Sequence, residues 1–201
     1  MDGKGPKTIF LDIGGVLLTN GWDRLARQKA ARFFALDFEE MDALHQFIFN
    51  IYEIGKITLN QYLDTIVFTR PRSFNHQQFK EFMFAQSEEL PDMIPWLTAW
   101  KKQTHHRIIS INNEGKELND YRIKKFKLKN CFDAFISSCE VGMAKPDPEI
   151  FQLALGVAHT RAEDSIYFDD RPMLVLAAAT LGIRALQHEG FRQTRDILEN
   201  L

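Results

Sequence analysis

Residues 8–15 of this 201-residue chain read TIFLDIGG. A short apolar run ends at Leu11 and is followed by one acid, Asp12, and by the pair Gly14 and Gly15. This pattern predicts a buried strand that leads into a tight glycine loop. A carboxylate packs poorly in a core but projects well from the end of a strand. Asp12 is therefore a candidate functional residue, and capping of the turn is its alternative role.

The rest of the chain shows two patterns. Between Trp22 and Ser87 the apolar residues recur with helical periodicity, and ten of the 17 phenylalanines lie between Phe33 and Phe84. Such a block can build a core of its own, as four-helix bundles do. After Pro91, strand and helix patterns alternate, which is typical of a parallel sheet covered on both faces. The sequence thus predicts an α/β fold with an inserted helical block.

A second acidic site follows the predicted strand Ile166-Tyr167-Phe168. There Asp169 and Asp170 are adjacent, and two like charges repel each other unless a cation or hydrogen bonds compensate them. Magnesium prefers hard oxygen ligands and commonly bridges one or two carboxylates to a substrate phosphate. Because ligands bind beyond the carboxyl ends of parallel strands, we expect Asp12 and this pair to meet around Mg²⁺.

Two further segments carry candidate residues for phosphate chemistry. Lys145 lies in a loop before the helix-starting Pro146-Asp147, and a fixed ammonium there would neutralise both a nucleophile and an incoming phosphate. Asn112 and Asn113 end another predicted strand and supply amide donors. A surface position for the lysine and a turn role for the asparagines are the alternatives.

Four segments together resemble, in order and spacing, the four motifs of the haloacid dehalogenase-like hydrolases. They are residues 10–17 (FLDIGGVL), 110–113 (SINN), 142–147 (GMAKPD) and 167–170 (YFDD). The resemblance covers essentially the whole chain. It implies a Rossmann-like core made of residues 1–18 and 91–201, with residues 19–90 inserted as an all-helical C1 cap.

The resemblance also implies roles for individual residues. Asp12 would be the nucleophile that becomes an aspartyl phosphate, which is covalent catalysis. Mg²⁺ would be bound by Asp12, the Gly14 carbonyl and Asp170, with Asp169 in the outer shell. Lys145 matches the lysine that steadies the nucleophile. For the phosphate, Asn112 stands where a serine or threonine is usual, and the backbone groups of Gly14, Gly15 and Asn113 would complete its cradle.

The chain departs from the family pattern at Gly14, where most phosphatases of the family carry a second aspartate as general acid and base. General acid catalysis is typically worth about 10²- to 10⁴-fold, so we expect slow turnover and a preference for leaving groups of low pKa. Anomeric sugar phosphates, acyl phosphates and aryl phosphates are of this kind. Relatives with a glycine here occur among sugar 1-phosphatases. Asp23 is the first candidate to replace the acid, although capping of a helix is its more ordinary role.

A smaller departure is Leu174, which stands where relatives often carry an asparagine or aspartate, so weaker magnesium binding is expected. The cap residues that contact the substrate are harder to assign, because the register of the cap helices is not fixed by the pattern. Tyr52, Glu53, Arg70 and Arg72 are the polar candidates.

The resulting hypothesis is a Mg²⁺-dependent phosphohydrolase that acts on a small phosphorylated metabolite. One alternative is a metal-independent haloacid dehalogenase, against which the pair Asp169 and Asp170 argues. The other is a non-catalytic relative that binds a phosphorylated ligand or a protein partner, as the residues Gly14, Asn112 and Leu174 suggest.

The composition and the net charge limit the kinds of partner that we expect for this chain. The formal charge of -2 gives no broad basic field, so we expect no nucleic-acid partner. Met1 to Lys4 lack a secretion signal and no apolar run reaches about 18 residues, so we expect a cytoplasmic protein without a membrane partner. Cys131 and Cys139 lack the spacing of zinc ligands and are expected to be reduced cysteines, with a disulfide between them as the alternative. The pattern leaves a monomer or a homodimer open.

Overall fold

A single parallel sheet organises the chain in the computed structural model, which describes residues 7–201. The first six residues of the predicted core, including Met1 to Lys4, lie outside the described part. The strands are β1 (Thr8–Leu11), β2 (Arg107–Asn112), β3 (Ala134–Ser137), β4 (Ser165–Asp169) and β5 (Arg184–Gln187). They run in the order β3-β2-β1-β4-β5, and every neighbouring pair is parallel. The predicted α/β fold is thereby confirmed.

The register of the sheet brings three strand ends together. Leu11, the last residue of β1, pairs with Ser110 on one side and with Phe168 on the other. Asn112 and Asp169 are the last residues of β2 and β4. Because all strands point the same way, the residues at these ends share one edge of the sheet.

Ten α-helices are present in the described residues. Four of them form the cap between β1 and β2: α1 (Arg24–Phe33), α2 (Phe38–Glu53), α3 (Leu59–Ile66) and α4 (His76–Ala85). The others pack with the sheet: α5 (Met93–Lys101), α6 (Lys116–Lys125), α7 (Ser138–Val141), α8 (Pro148–Ala158), α9 (Pro172–Ala179) and α10 (Phe191–Glu199). The four-residue helix α7 was not predicted from the sequence pattern. The division of the chain at residues 18/19 and 90/91 stays a prediction.

The central strands are covered on both faces of the sheet, and every residue of β1 and of β4 is buried, as is typical of parallel strands between two layers of helices. On one face Ile9 and Leu11 pack in a cluster that includes Leu97 of α5 and Leu198 of α10. On the other, Phe10 belongs to a cluster with residues of α8 and α9. Alternate residues of one strand thus enter two different cores.

The cap has a third, largely aromatic cluster, as the phenylalanine count suggested. Tyr52, Tyr62 and Phe79 are completely buried there, and Tyr52 stacks on Tyr62 with ring centroids 4.9 Å apart. Side-chain caps define the helix starts: Thr58 and Asn75 each form a reciprocal capping box with a glutamine three residues later. No helix in residues 7–201 combines the length and apolar character needed to cross a membrane.

Candidate active site

Lys145 joins the two acidic strand ends. Its Nζ lies 3.2 Å from Asp12 Oδ1 and 2.7 Å from Asp169 Oδ2, and all three side chains are buried. The loop that carries Lys145 is held by Asn113, whose side-chain amide accepts from the Lys145 N–H and donates to the Lys145 carbonyl, each at 2.8 Å. The structure therefore brings together the predicted residues from all four segments.

Asp169 is engaged on both carboxylate oxygens. Oδ2 accepts from Lys145 and from the Tyr167 hydroxyl, while Oδ1 accepts from the Arg171 backbone N–H at 2.9 Å. Burial opposes ionisation of Asp169, but the Lys145 ammonium and these hydrogen bonds outweigh it and lower the pKa of the carboxyl. Asp169 is thus a fixed anion that orients Lys145, and Tyr167 is a supporting residue that the sequence analysis missed.

Asp12 is in a different electrostatic position. Burial raises the pKa of Asp12 to about 6; Lys145 opposes this increase and Asp169 adds to it. Its Oδ1 accepts from the Ile13 backbone N–H at 2.7 Å. A cation beside Asp12 would favour the ionised form that a nucleophile needs.

The carboxylates fit a magnesium ion. Carboxylate oxygens of Asp12, Asp169 and Asp170 lie within 4.8 Å of one another. Asp170 Oδ1 is buried and has no hydrogen-bond partner among residues 7–201, whereas Oδ2 accepts from Asn20 Nδ2 at 3.3 Å. An unpaired buried carboxylate oxygen is costly, and a hard cation would satisfy it.

Gly15 makes room for Asp170. It has φ +70°, and a Cβ at this position would lie 2.2 Å from Asp170 Oδ2. Only glycine combines this backbone conformation with so close an approach. The Gly15 N–H donates to the Leu18 carbonyl at 2.7 Å, so in this conformation it closes the loop and does not face a ligand.

Asn112 is buried in a polar network beneath the site. Its Nδ2 donates to Asn119 Oδ1 at 3.1 Å, and its Oδ1 accepts from the Ser137 hydroxyl at 3.0 Å. Asn112 and Asn113 both border the cavity beside Asp12. Their predicted contacts with phosphate remain predictions.

Gly14 faces an amide where most relatives have an acid. A Cβ added at Gly14 would lie 2.8 Å from Asn20 Oδ1. Asp23, the first candidate replacement, caps α1, since its Oδ1 accepts from the Ala26 N–H at 2.8 Å. Asp23 borders the cavity, but the structure gives it the capping role that the sequence analysis named as the ordinary one.

A cavity of about 300 Å³ connects Asp12 with the cap. From the core it is lined by residues that include Asp12, Gly14, Lys145, Arg171 and Leu174. From the cap it is lined by Trp22, Asp23, Arg24, Arg27, His45, Phe49 and Glu53. Of the four polar cap candidates, Glu53 alone lines this cavity; Tyr52 is buried behind Gly115, Arg70 pairs with Glu40, and Arg72 donates to the Val67 carbonyl.

His45 is a cavity residue that the sequence analysis missed. Trp22 Nε1 can only donate, and it donates to the Tyr62 hydroxyl at 2.8 Å. The Tyr62 proton is then free to donate to His45 Nδ1, 2.7 Å away, which places the His45 proton on Nε2. Burial, reinforced by Arg27, lowers the pKa of His45 to about 4, so the ring is a neutral donor at pH 7. The sequence alone does not indicate that His45 is a buried neutral donor in the cavity, because an isolated histidine on a cap helix matches no motif.

Comparison with known proteins identifies the class. The family profile described as haloacid dehalogenase-like hydrolase matches residues 6–182, most of the chain. The chain therefore belongs to the haloacid dehalogenase-like hydrolases, and the predicted resemblance is confirmed. Magnesium, expected from the sequence, is the metal of the phosphatases in this family.

Among relatives of known function, D-ribitol-5-phosphate phosphatase of Bacteroides thetaiotaomicron is 24% identical over 96% of this chain and 98% of its own. A pyrimidine 5′-nucleotidase of Escherichia coli is 29% identical over 73% of this chain and 69% of its own. Mouse bifunctional epoxide hydrolase 2 is 31% identical over 50% of this chain, but the match spans only 19% of that longer protein.

Solved structures show the same fold. A haloacid dehalogenase family enzyme of Bacteroides thetaiotaomicron superposes with a TM-score of 0.80 at 22% identity, covering 92% of this chain and 94% of that one. The same enzyme in complex with magnesium and inorganic phosphate gives a TM-score of 0.78 at 22% identity, covering 92% and 95% of the two chains.

Proposed function

We propose that this chain is a Mg²⁺-dependent phosphatase that cleaves a small phosphorylated metabolite through an aspartyl phosphate on Asp12. The observation that carries the proposal is the group formed by the buried Asp12 and Lys145 and the half-buried Asp170, whose inaccessible Oδ1 has no hydrogen-bond partner within residues 7–201. The close approach of three carboxylates, Asp12, Asp169 and Asp170, argues against a dehalogenase that works without a metal, because like charges repel unless a cation compensates them.

The proposed reaction uses the residues as the structure places them. An Asp12 carboxylate oxygen attacks phosphorus, the bond to the leaving oxygen breaks, and water later cleaves the aspartyl phosphate to release inorganic phosphate. Lys145 compensates the charge of Asp12 and of the incoming phosphate, and Asp169 holds Lys145. Asp12, the Gly14 carbonyl and Asp170 would hold Mg²⁺, which when bound neutralises phosphate charge and orients it for attack. Asn112 and the backbones of Gly14 and Asn113 are proposed to contact the phosphate. The Gly15 N–H, which the family resemblance also places in the phosphate cradle, donates to the Leu18 carbonyl instead and is left out of the proposal.

The relatives support a small organic phosphate as substrate. One is named for D-ribitol 5-phosphate and another for pyrimidine nucleotides, and both matches cover two thirds or more of this chain. A cavity of about 300 Å³ suits a ligand of that size. The expected preference for leaving groups of low pKa applies to a site in which no other residue replaces the acid missing at Gly14. Cytoplasmic location, the absence of a nucleic-acid partner and a monomeric or dimeric state also belong to this proposal.

The test is a screen of phosphorylated metabolites with Mg²⁺, run beside Asp12→Asn and the exposed control Asp196→Asn. We expect phosphate release by the native chain and by the control, and none by Asp12→Asn or after chelation of the metal. Beryllium fluoride, a mimic of the acyl phosphate, should bind the native chain and the control but not Asp12→Asn. Turnover of a haloacid that survives chelation would overturn the proposal in favour of a dehalogenase, and failure to turn over any phosphate or to bind beryllium fluoride would favour a non-catalytic binder.

A further inference from the structure

The proposed reaction lacks a group that can protonate the leaving oxygen. Most phosphatases of the family place an acid at the position of Gly14, and here the Asn20 amide occupies the space in front of that residue. An amide does not exchange protons as an acid near neutral pH. Asp23 is committed to the Ala26 N–H at the start of α1. A proton donor must therefore come from elsewhere in the cavity.

Glu53, the last residue of α2, brings a carboxyl group from the cap into the cavity that contains Asp12 and Gly14. The end of α2 is docked firmly on the core. The Ser138 hydroxyl donates to the Glu53 carbonyl at 2.7 Å. Two residues later, Gly55 has φ +72°, and a Cβ there would lie 2.2 Å from the Cys139 carbonyl oxygen. The position of Glu53 is thus set by direct contacts between cap and core.

The Glu53 carboxylate is also connected to the catalytic residues. Asn113 Nδ2 lies 3.4 Å from Glu53 Oε2, and the same Asn113 amide makes the two hydrogen bonds that hold the Lys145 backbone. Lys145 in turn contacts Asp12. One asparagine therefore positions both the lysine beside the nucleophile and the glutamate of the cap.

The surroundings allow Glu53 to hold a proton near neutral pH. Burial raises the pKa of Glu53 to about 7, and the nearby carboxylates of Glu114 and Asp12 add to the increase. Arg171 and Lys145 oppose it. The general acids of enzymes work best when their pKa lies near the working pH.

We propose that Glu53 of the cap is the general acid and base that Gly14 leaves missing, an inference that rests on the proposed phosphatase function. As Asp12 attacks and the bond between phosphorus and the leaving oxygen breaks, the Glu53 carboxyl gives its proton to that oxygen and the alcohol departs. Glu53 then takes a proton from water as the water oxygen attacks phosphorus. The bond between phosphorus and Asp12 then breaks, which releases inorganic phosphate and restores the Asp12 carboxylate and the protonated Glu53.

The experiment compares kcat/KM for ethyl phosphate and for p-nitrophenyl phosphate in the native chain and in Glu53→Gln, with Mg²⁺ present. Ethoxide needs a proton to leave, whereas p-nitrophenolate does not. We expect Glu53→Gln to lower kcat/KM for ethyl phosphate by about 10²-fold or more and that for p-nitrophenyl phosphate by less than about tenfold. The native kcat/KM for ethyl phosphate should fall as pH rises above about 7, because the acid form is lost, and this fall should be absent in Glu53→Gln.

Two controls separate catalysis from structure. Glu40→Gln changes an exposed cap glutamate and should leave both substrates unaffected, and Glu53→Asp should recover part of the ethyl phosphate activity. An equal loss on both substrates, or no loss on either, would overturn the role of Glu53 while Asp12→Asn still tests the phosphatase function. If Glu53→Gln does not fold, as judged by its unfolding transition, the pH profiles of the native chain and Glu53→Asp decide: identical profiles would overturn the proposal. Inactivity of the native chain on both substrates would overturn the function and this inference together.

Discussion

Lys145 Nζ lies 3.2 Å from Asp12 Oδ1, and this contact between a buried ammonium and a buried carboxylate is the centre of the site. The same ammonium contacts Asp169 at 2.7 Å, so one cation compensates two acids. Removing it would leave two buried carboxylates close together without a counter-charge, which is unfavourable for folding as well as for catalysis.

Lys145→Met should therefore reduce both the catalytic rate and the stability of the fold. Loss of a preorganised charge at the reacting group commonly costs about 10²- to 10³-fold in kcat. Breaking a buried ion pair typically costs about 3–5 kcal/mol of unfolding free energy. Phosphate release and urea unfolding measure the two effects. Lys116→Met is the matched control, because Lys116 makes only exposed ion pairs and should change stability by less than about 1 kcal/mol. Equal effects of the two changes would contradict the central role of Lys145.

Gly15→Ala should weaken metal binding through its contact with Asp170. Gly15 and Gly142 have nearly the same φ, +70° and +71°, but an added Cβ meets Asp170 only at Gly15 and has no neighbour within 4 Å at Gly142. The control variant is Gly142→Ala. Both alanine variants should lose about 1–2 kcal/mol of unfolding free energy, because alanine disfavours the left-handed backbone conformation. We expect only Gly15→Ala to need a higher Mg²⁺ concentration for half-maximal phosphate release. A similar magnesium requirement in both variants would show that Asp170 does not depend on this close approach.

His45 should make the cap sensitive to acid. Its pKa is lowered to about 4 in the folded chain, against about 6.5 when unfolded, so the unfolded state takes up a proton first as pH falls. The stabilising effect is complete above about pH 6.5 and is lost as pH falls towards 4, which corresponds to about 2 kcal/mol at pH 5. Urea unfolding at pH 7 and pH 5 should show a smaller decrease for His45→Gln than for the native chain. His105→Gln, at an exposed site, should keep the native decrease. Equal decreases in all three would contradict the buried neutral histidine.

Restoring an acid at position 14 should make Glu53 dispensable. Gly14→Asp alone places a Cβ 2.8 Å from Asn20 Oδ1, so the change is combined with Asn20→Gly. In this background we expect Glu53→Gln to reduce kcat/KM for ethyl phosphate by less than about tenfold, against about 10² in the native background. Asn20→Gly alone is the control for the lost hydrogen bond to Asp170. Sensitivity to Glu53→Gln that stays unchanged would show that position 14 and Glu53 do not share one task.

Much of the fold and of the site could be predicted because the decisive signals are local. Apolar runs that end in Asp12, Asn112 and Asp169 are readable as strands with functional ends, and parallel strands place such ends at one edge. The meeting of Asp12, Lys145, Asp169 and Asp170 followed from that rule together with the family motifs. The different ionisation and hydrogen bonding of these acids could not be predicted in this way, because they depend on which carboxylate oxygen is hydrogen-bonded and which is left unpaired.

The sequence by itself determined the parallel sheet, the inserted helical cap and the family, since short motifs and periodicity specify these. Only the tertiary structure decided which cap residues face Asp12. Two contacts position the cap on the core: Gly55 packs against Cys139, and the Ser138 hydroxyl donates to the Glu53 carbonyl. Each contact joins residues more than 80 positions apart. The same long-range packing gives His45 its tautomer and brings Glu53 into the cavity. Asp12 is therefore predictable from its own neighbours in the chain, whereas its proposed proton donor is visible only after folding.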